Sequence, residues 1–314
     1  MLNNSTILVT GGAGFIGSNI VRELLENGNK VRVLDNFSTG KRDNLFPFNS
    51  NPNFSLFEGD LRSFHIVRDA VKGCEFILHQ GALPSVPRSV TDPITSNDVN
   101  ILGTLNILEA AKEFGVKRVV YASSSSVYGN NPELPKHEEM PVQPLSPYAI
   151  TKYASERYCQ VFYQLYGLET VALRYFNVFG PNQDPTSQYS AVIPKFIKAI
   201  MNNESPVIYG DGTQSRDFTY VANNVQANIL ACLAPNAPGE ALNIACGERF
   251  TLIDLVNEIN RILGKSIEPK FELDRAGDVK HSLASIDKAK RILGFEPKFS
   301  FVEGLEKTVE FFEK

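Results

Sequence analysis

ILVTGGAGFIGSNIVRELLENGNKVRVLD, residues 7–35, decides the fold. ILVT (7–10) reads as a strand buried on both faces of a parallel sheet. GGAGFIG (11–17) follows, with Gly11, Gly14 and Gly17 in the spacing GxxGxxG. Ile20, Val21, Leu24 and Leu25 then recur at helical spacing, and KVRVLD (30–35) opens a second strand. The unit is strand, tight turn, helix, strand, with a crossover expected to be right-handed. Such a turn needs residues without bulk, and the helix N-terminus it feeds can face a pyrophosphate. Asp35 ends the second strand, eighteen residues after Gly17. A carboxylate there accepts hydrogen bonds from an adenosine ribose and repels a 2′-phosphate. NAD is therefore favoured over NADP, although Lys41 and Arg42 nearby keep NADP open. Asp60 and Leu61, in EGDLR (58–62), are expected near the adenine, with a helix cap as the other reading of Asp60.

Beyond this unit the alternation repeats. Strands are expected at Phe54–Phe57, Phe76–Gln80, Val119–Ala122 and Thr170–Arg174, and helices at Ile66–Val71, Val99–Phe114 and Tyr148–Tyr166. The fold class is α/β, with a doubly wound, mostly parallel sheet. Residues 36–53 read as a polar crossover, and the Pro-rich stretch 130–147 as a long ordered loop beside the site. Ser146 and Pro147 fit the cap and first turn of the next helix. After Phe179 the pattern is less regular. VIPKFIKAIM, Val221–Cys232, Leu252–Leu263 and FVEGLEKTVEFF are helix candidates, and VIYGDG a strand and turn. The expected division is a nucleotide domain at 1–177, with 217–246 returning to it, and a smaller mixed α/β substrate domain at 178–314.

A chain of 314 residues, 43% hydrophobic and 21% charged, has the composition of a soluble enzyme. A net charge of −4 gives no basic field for nucleic acid. No apolar stretch is long enough to span a bilayer, and no secretory segment precedes Ile7. The four cysteines are scattered without a CxxC pair, as in a reducing compartment, so a cytoplasmic protein is expected. His65, His79, His137 and His281 form no metal-ligand spacing, so no metal site is expected.

SPYAITKYASE (146–156) carries the chemistry. Tyr148 and Lys152 lie four residues apart, on one face of a helix. Beside an oxidised nicotinamide, the ammonium helps the phenol act as a base. A free phenol titrates near 10, and lowering it by roughly three units takes about 4 kcal/mol of differential stabilisation. Lys152 and the nicotinamide charge are the expected sources. YxxxK alone is cheap; it gains meaning from GGAGFIG and from SSSSVYG (123–129) just upstream.

The combination of GGAGFIG, the Asp35 strand end, GDLR, SSSSVYG, SPYAITKYASE, LRYFNVFGP (173–181), YGDGTQSRDFTY (209–220) and RAGDVKHSLAS (275–285) resembles the extended short-chain dehydrogenase/reductase family. Within it the chain resembles the UDP-hexose 4-epimerases. GALPSVPRSVTDP (81–93), FGPNQDPTSQYSAVIPKF (179–196) and GDVKHSLA (277–284) bring it nearer to the UDP-N-acetylglucosamine 4-epimerases. The resemblance implies an extended Rossmann-like architecture, a homodimer built by helices including 98–114 and 148–166, and tightly held NAD. It implies reversible conversion of UDP-N-acetylglucosamine to UDP-N-acetylgalactosamine through a transient 4-keto sugar, with UDP-glucose and UDP-galactose as a further pair. Ser124, Tyr148 and Lys152 map onto its catalytic set. Phe15, Ile16, Asn36, Gln80, Ala82 and Tyr175 join the cofactor residues.

For the substrate, the resemblance implies Asn177 near the diphosphate and Arg216 and Arg275 as phosphate clamps, a task suited to a forked donor. It places Asp278 at the uridine ribose and Ala191, Val192 and Tyr209 around the uridine. Ser85, Val86, Ser126 and Gln183 are expected around the sugar. Ser282 matches a gatekeeper that is Tyr in epimerases restricted to glucose and galactose, and a small side chain leaves room for a 2-acetamido group. Dehydratases and decarboxylases of the superfamily carry acids where this chain has Ser125 and Ser126. UDP-glucuronate 4-epimerisation and a catalytically silent NAD-binding module are the remaining alternatives.

Overall fold

The 7–35 unit folds as its pattern demands. The computed structural model describes residues 2–185, 191–273 and 280–314. Strand β1 (Thr6–Thr10) is followed by the glycine turn and by helix Phe15–Glu26, which buries Ile20, Val21, Leu24 and Leu25. Next come β2 (Lys30–Asp35), β3 (Phe54–Glu58), β4 (Phe76–His79), β5 (Arg118–Ser124), β6 (Glu169–Tyr175) and β7 (Ala241–Ile244). They form one sheet in the order β7-β6-β5-β4-β1-β2-β3, with every neighbouring pair parallel. The chain leaves β3 at one edge and re-enters at β4, on the other side of β1. That reversal opens a crevice at the carboxyl ends of β1 and β4, where ligands bind in open α/β sheets.

Alternation along the strands sends side chains to two cores. Ile7, Val9, Val31 and Val33 pack with helix Phe15–Glu26 and with Val225, Ala227 and Ala231 of helix Val221–Leu233. Leu8, Leu34, Ile77 and Val119 face the opposite side, against Ile107, Leu108 and Phe162. Residues 217–246 thus supply both a helix on the sheet face and the edge strand β7.

A third core builds the smaller mixed region. Helices Val192–Met201, Leu252–Leu263 and Phe301–Glu313 converge on Phe179, Phe218 and Ile208. Phe250 stacks on Phe301 with centroids 4.2 Å apart. Three short strand pairs frame it: Val178–Phe179 with Thr219–Tyr220, Ser215–Arg216 with Phe250–Thr251, and Val207–Tyr209 with Lys270–Glu272.

Two features depart from the pattern expected of the sequence. Val86–Thr91 and Pro93–Asn97 are short helices, each with proline in its first turn and capped by Ser85 and Asp92. Their brevity hides any period. The helix expected from Val99 opens with a wide turn, Asp98–Leu102, before the regular helix Gly103–Glu113. Among the described residues, no helix is long and apolar enough to cross a membrane.

Candidate active site

The glycine turn makes a cradle of bare backbone. Gly11 has φ +66°, and a Cβ there would lie 2.8 Å from Gly81 Cα. A Cβ on Gly17 would lie 2.1 Å from the Gly11 carbonyl oxygen. Gly14 precedes helix Phe15–Glu26, whose N-terminus has no side-chain cap and no acid in its first turn. Gly14, Phe15, Ile16 and Gly17 line a cavity of about 670 Å³. An uncapped helix N-terminus facing a cavity suits an anion, so these residues fit the pyrophosphate of a dinucleotide.

Asp35, Asn36, Asp60 and Leu61 line the same cavity. Asp35 accepts from the amides of Ala13 (2.9 Å) and Phe37 (2.8 Å), which pins the turn to β2. Burial nevertheless raises its carboxyl above the usual range. Asp60 caps no helix; Ser63 stands at that position before Phe64–Val71. Instead its carboxylate takes hydrogen bonds from Arg62 and Asn36, which hold it down at about 2. Lys41 pairs with Asp184, and Arg42 with Glu58. Gln80, Ala82 and Tyr175 line the cavity too, as do Tyr148 and Lys152. Asn228 donates to the Tyr175 hydroxyl (2.7 Å), and that hydroxyl donates to Gln80 (3.2 Å).

Helix Pro147–Tyr166 presents Tyr148 and Lys152 one turn apart. The Ser146 hydroxyl caps it, accepting from Ala149, with Pro147 in the first turn. The Tyr148 amide donates to Ser89 Oγ at 3.0 Å, which ties the catalytic helix to helix Val86–Thr91. Ser124, at the end of β5, hydrogen-bonds the Tyr148 phenol. Its oxygen also accepts from the Ser126 amide at 3.2 Å. The Ser126 hydroxyl is buried without a hydrogen-bond partner.

Desolvation dominates the charges of this pair. Burial pushes the Tyr148 phenol up, and only its bond to Ser124 opposes this. Lys152 lies 5.9 Å from the ring centroid and donates to the Ala122 carbonyl at 2.8 Å. Its own burial pushes it down to about 8. Desolvation thus opposes both charged forms, and the pair does not by itself favour phenolate.

A second cavity of about 290 Å³ continues from the first, and Ala191 lines both. Asn177, Val192, Tyr209 and Arg216 line it. Asn177 holds φ +34° and points its amide at the Asp217 carbonyl (3.3 Å) and Ser282 Oγ (3.5 Å). Arg216 donates to the Lys280 carbonyl at 3.1 Å. Ser85, at φ +96°, and Gln183 line the first cavity. Val86, Ser124, Ser126 and Ser282 line neither. Arg275 and Asp278 lie outside the described residues.

Some residues here escaped the sequence reading. Ser123 donates to Glu156 (2.7 Å), which forms a buried pair with Arg174 (2.6 Å). Arg174 donates to the Tyr128 hydroxyl, which donates to Asn243. Glu156 sits one turn beyond Lys152, a helical-spacing signal that was available; Asn243 carried none.

Comparison with known proteins matches residues 7–245 to the NAD dependent epimerase/dehydratase family. A solved UDP-N-acetylglucosamine 4-epimerase from Methanobrevibacter ruminantium, in complex with UDP-N-acetylmuramic acid, is 43% identical, with TM-score 0.94 and 99% of each chain covered. A UDP-glucose 4-epimerase structure from Thermotoga maritima with UDP-glucose is 39% identical, with TM-score 0.93 and 98% of each chain covered. A putative UDP-glucose 4-epimerase from Methanocaldococcus jannaschii is 39% identical, over 96% of this chain and 97% of its own.

The buried Lys152 gives a test by pH. Its amine titrates near 10.5 when unfolded and about 8 in the fold. Below pH 8 both states are charged, and the fold bears the burial penalty, on the order of 3 kcal/mol. Between these values the folded amine is neutral while the unfolded chain still binds a proton, so stability rises with pH. Nucleotide-free Lys152→Met should therefore melt above the parent at pH 7, with the gap closing towards pH 10.5. Identical melting at every pH would remove the penalty.

Proposed function

This chain belongs to the NAD dependent epimerase/dehydratase family, and within it we propose that it interconverts UDP-N-acetylglucosamine and UDP-N-acetylgalactosamine by inverting C4. The activity class, NAD-dependent 4-epimerisation of a UDP-sugar, is that of relatives matching it over nearly their whole length. The choice of the acetylated sugar rests on one observation. Ser282 is a small side chain whose hydroxyl accepts from the Asn177 amide (3.5 Å), and a small residue there leaves a 2-acetamido group more room than a Tyr would. The same opening also admits the UDP-glucose and UDP-galactose pair.

Tyr148 takes the proton of the sugar 4-hydroxyl, and Ser124, bonded to that phenol, orients the hydroxyl and then the carbonyl. NAD, when bound along the Gly11–Gly17 turn, supplies the hydride acceptor for C4 and a positive ring charge. Lys152 holds the nicotinamide ribose and adds a second positive charge. The 4-keto sugar then turns to offer its other face while its UDP stays anchored; hydride would return to that face of C4, and Tyr148 gives its proton back to O4. Asn177 and Arg216 hold the diphosphate, with Ala191, Val192 and Tyr209 around the uridine. Arg275 and Asp278 complete that anchor in our reading. Asp35 selects NAD over NADP, and the pairing of Lys41 and Arg42 with carboxylates supports that choice.

A homodimer is part of the same reading. Ile150, Tyr158 and Leu165 recur seven or eight residues apart on helix Pro147–Tyr166 and are exposed, Leu165 by 69%. Leu102 on the neighbouring helical segment is exposed too. This apolar stripe supports a partner helix. A cytoplasmic setting accords with four free cysteines, three of them buried.

Two measurements test these proposals. Ser282→Tyr should lower kcat/KM for UDP-N-acetylglucosamine about 10–100-fold relative to UDP-glucose; equal effects on both sugars would reject the gate. In sedimentation velocity the parent should run at twice the chain mass and Tyr158→Asp at the monomer mass. A monomeric parent would reject the dimer.

A further inference from the structure

Asp217 is fully buried, yet it lines neither cavity. Its Oδ1 accepts from the Cys246 amide at 3.0 Å. Its Oδ2 accepts from the amides of Gly247 and Ala284, both at 3.1 Å. Three separate segments thus meet on one carboxylate. They are the strand Ser215–Arg216, the turn that follows β7, and the stretch that carries Ser282.

We propose that Asp217 is a positioning residue for sugar recognition, setting the Ser282–Ala284 backbone relative to Arg216 and Asn177. The proposal rests on the reading that Ser282 and Arg216 face a UDP-sugar. The surrounding bonds show how the setting is transmitted. Ser282 donates its amide to the Ser215 carbonyl (3.0 Å), and Ser215 donates its own to Lys280 (3.0 Å). The Asn177 side chain spans the Asp217 carbonyl and Ser282 Oγ. On the far edge, Lys136 donates to the Leu283 carbonyl (2.7 Å), and Ser285 donates to the Lys136 carbonyl (2.8 Å). Asn243 joins that edge by donating to the carbonyls of Lys136 and Ser285. The recognition segment is therefore held from both sides. Ser215 Oγ meets His281 Nδ1 (2.9 Å) and Arg216 donates to the Lys280 carbonyl (3.1 Å) at its start, while Asp217 holds it further on, at Ala284.

The residue type is what this geometry demands. Three converging N–H groups need an acceptor-only partner. An Asn of the same shape turns an NH2 towards at least one of them. Burial makes the carboxylate an unfavourable resident, pushing it up to about 7, and Glu248 adds to that push. Stability alone does not favour a charge here. Its return is a fixed position for a segment without regular structure.

Asp217→Asn tests this in the NAD-bound full chain. KM for UDP-N-acetylglucosamine should rise by about 10-fold or more, and the ratio of kcat/KM between that sugar and UDP-glucose should change. Bound NAD and kcat should stay close to the parent, while the melting temperature falls because one buried N–H loses its acceptor. An unchanged KM and substrate ratio in an active parent would overturn the role of Asp217 and leave the proposed function standing. A parent that turns over neither sugar would overturn both. Hydrogen exchange on the parent holoenzyme gives a second test, independent of how the variant folds. The Ala284 amide should be protected as strongly as those of Cys246 and Gly247; rapid exchange at Ala284 alone would overturn the anchor.

Discussion

Backbone touching backbone at Gly11, Gly17 and Gly81 is the constraint on which the rest depends. A Cβ on Gly11 would meet Gly81, and one on Gly17 would meet the Gly11 carbonyl. Gly81 lies two residues beyond β4, so this contact joins the ends of the two strands between which the chain order reverses. The crevice has its depth because no side chain fills its floor. The helix N-terminus stays open for the same reason. The Asp35 carboxylate then bonds the turn to β2.

From that floor, position is passed on by buried polar bonds. Ser123, Glu156, Arg174, Tyr128 and Asn243 form a continuous chain from the end of β5 to β7. Buried ion pairs add little net stability, because desolvation consumes the attraction. They are costly to break, however, and so fix one arrangement. Here the arrangement fixed is that of Ser124 beside Tyr148, and of the 130–147 loop against the Ser282–Ser285 segment. The Pro-rich loop is ordered because Lys136 bridges it to Ala284 and Asn243 accepts it into the core.

What was legible in the sequence was what periodicity or a motif encodes. The 7–35 unit, six of the seven strands of the sheet, the cap at Ser146 and the one-turn spacing of Tyr148 and Lys152 all follow from local rules, whereas the edge strand Ala241–Ile244 did not show in the pattern. The glycines were legible because close approach excludes every other residue. Helices Val86–Thr91 and Pro93–Asn97 were not, since six and five residues with proline at the start show no period. Nor were two-residue strands such as Ser215–Arg216, which exist only through distant partners. Asp217 was hidden for the same reason. Its three donors lie 29, 30 and 67 residues away in sequence. The opposing effect of burial at Tyr148 was not legible, because desolvation is a property of the assembled site, whereas the neighbours of Tyr148 are visible in the motif.

Desolvation opposes the charged forms of both Tyr148 and Lys152, so ionisation there is favoured only when a further charge arrives. A sugar oxidised and reduced in one closed crevice keeps its C4 hydrogen. Incubation with UDP-N-acetylglucosamine deuterated at C4, followed by NMR of the nucleotide sugars, tests this most directly. The account predicts UDP-N-acetylgalactosamine with deuterium retained at C4. Absence of the 4-epimer, or a product whose C4 deuterium has exchanged for solvent hydrogen, would contradict it.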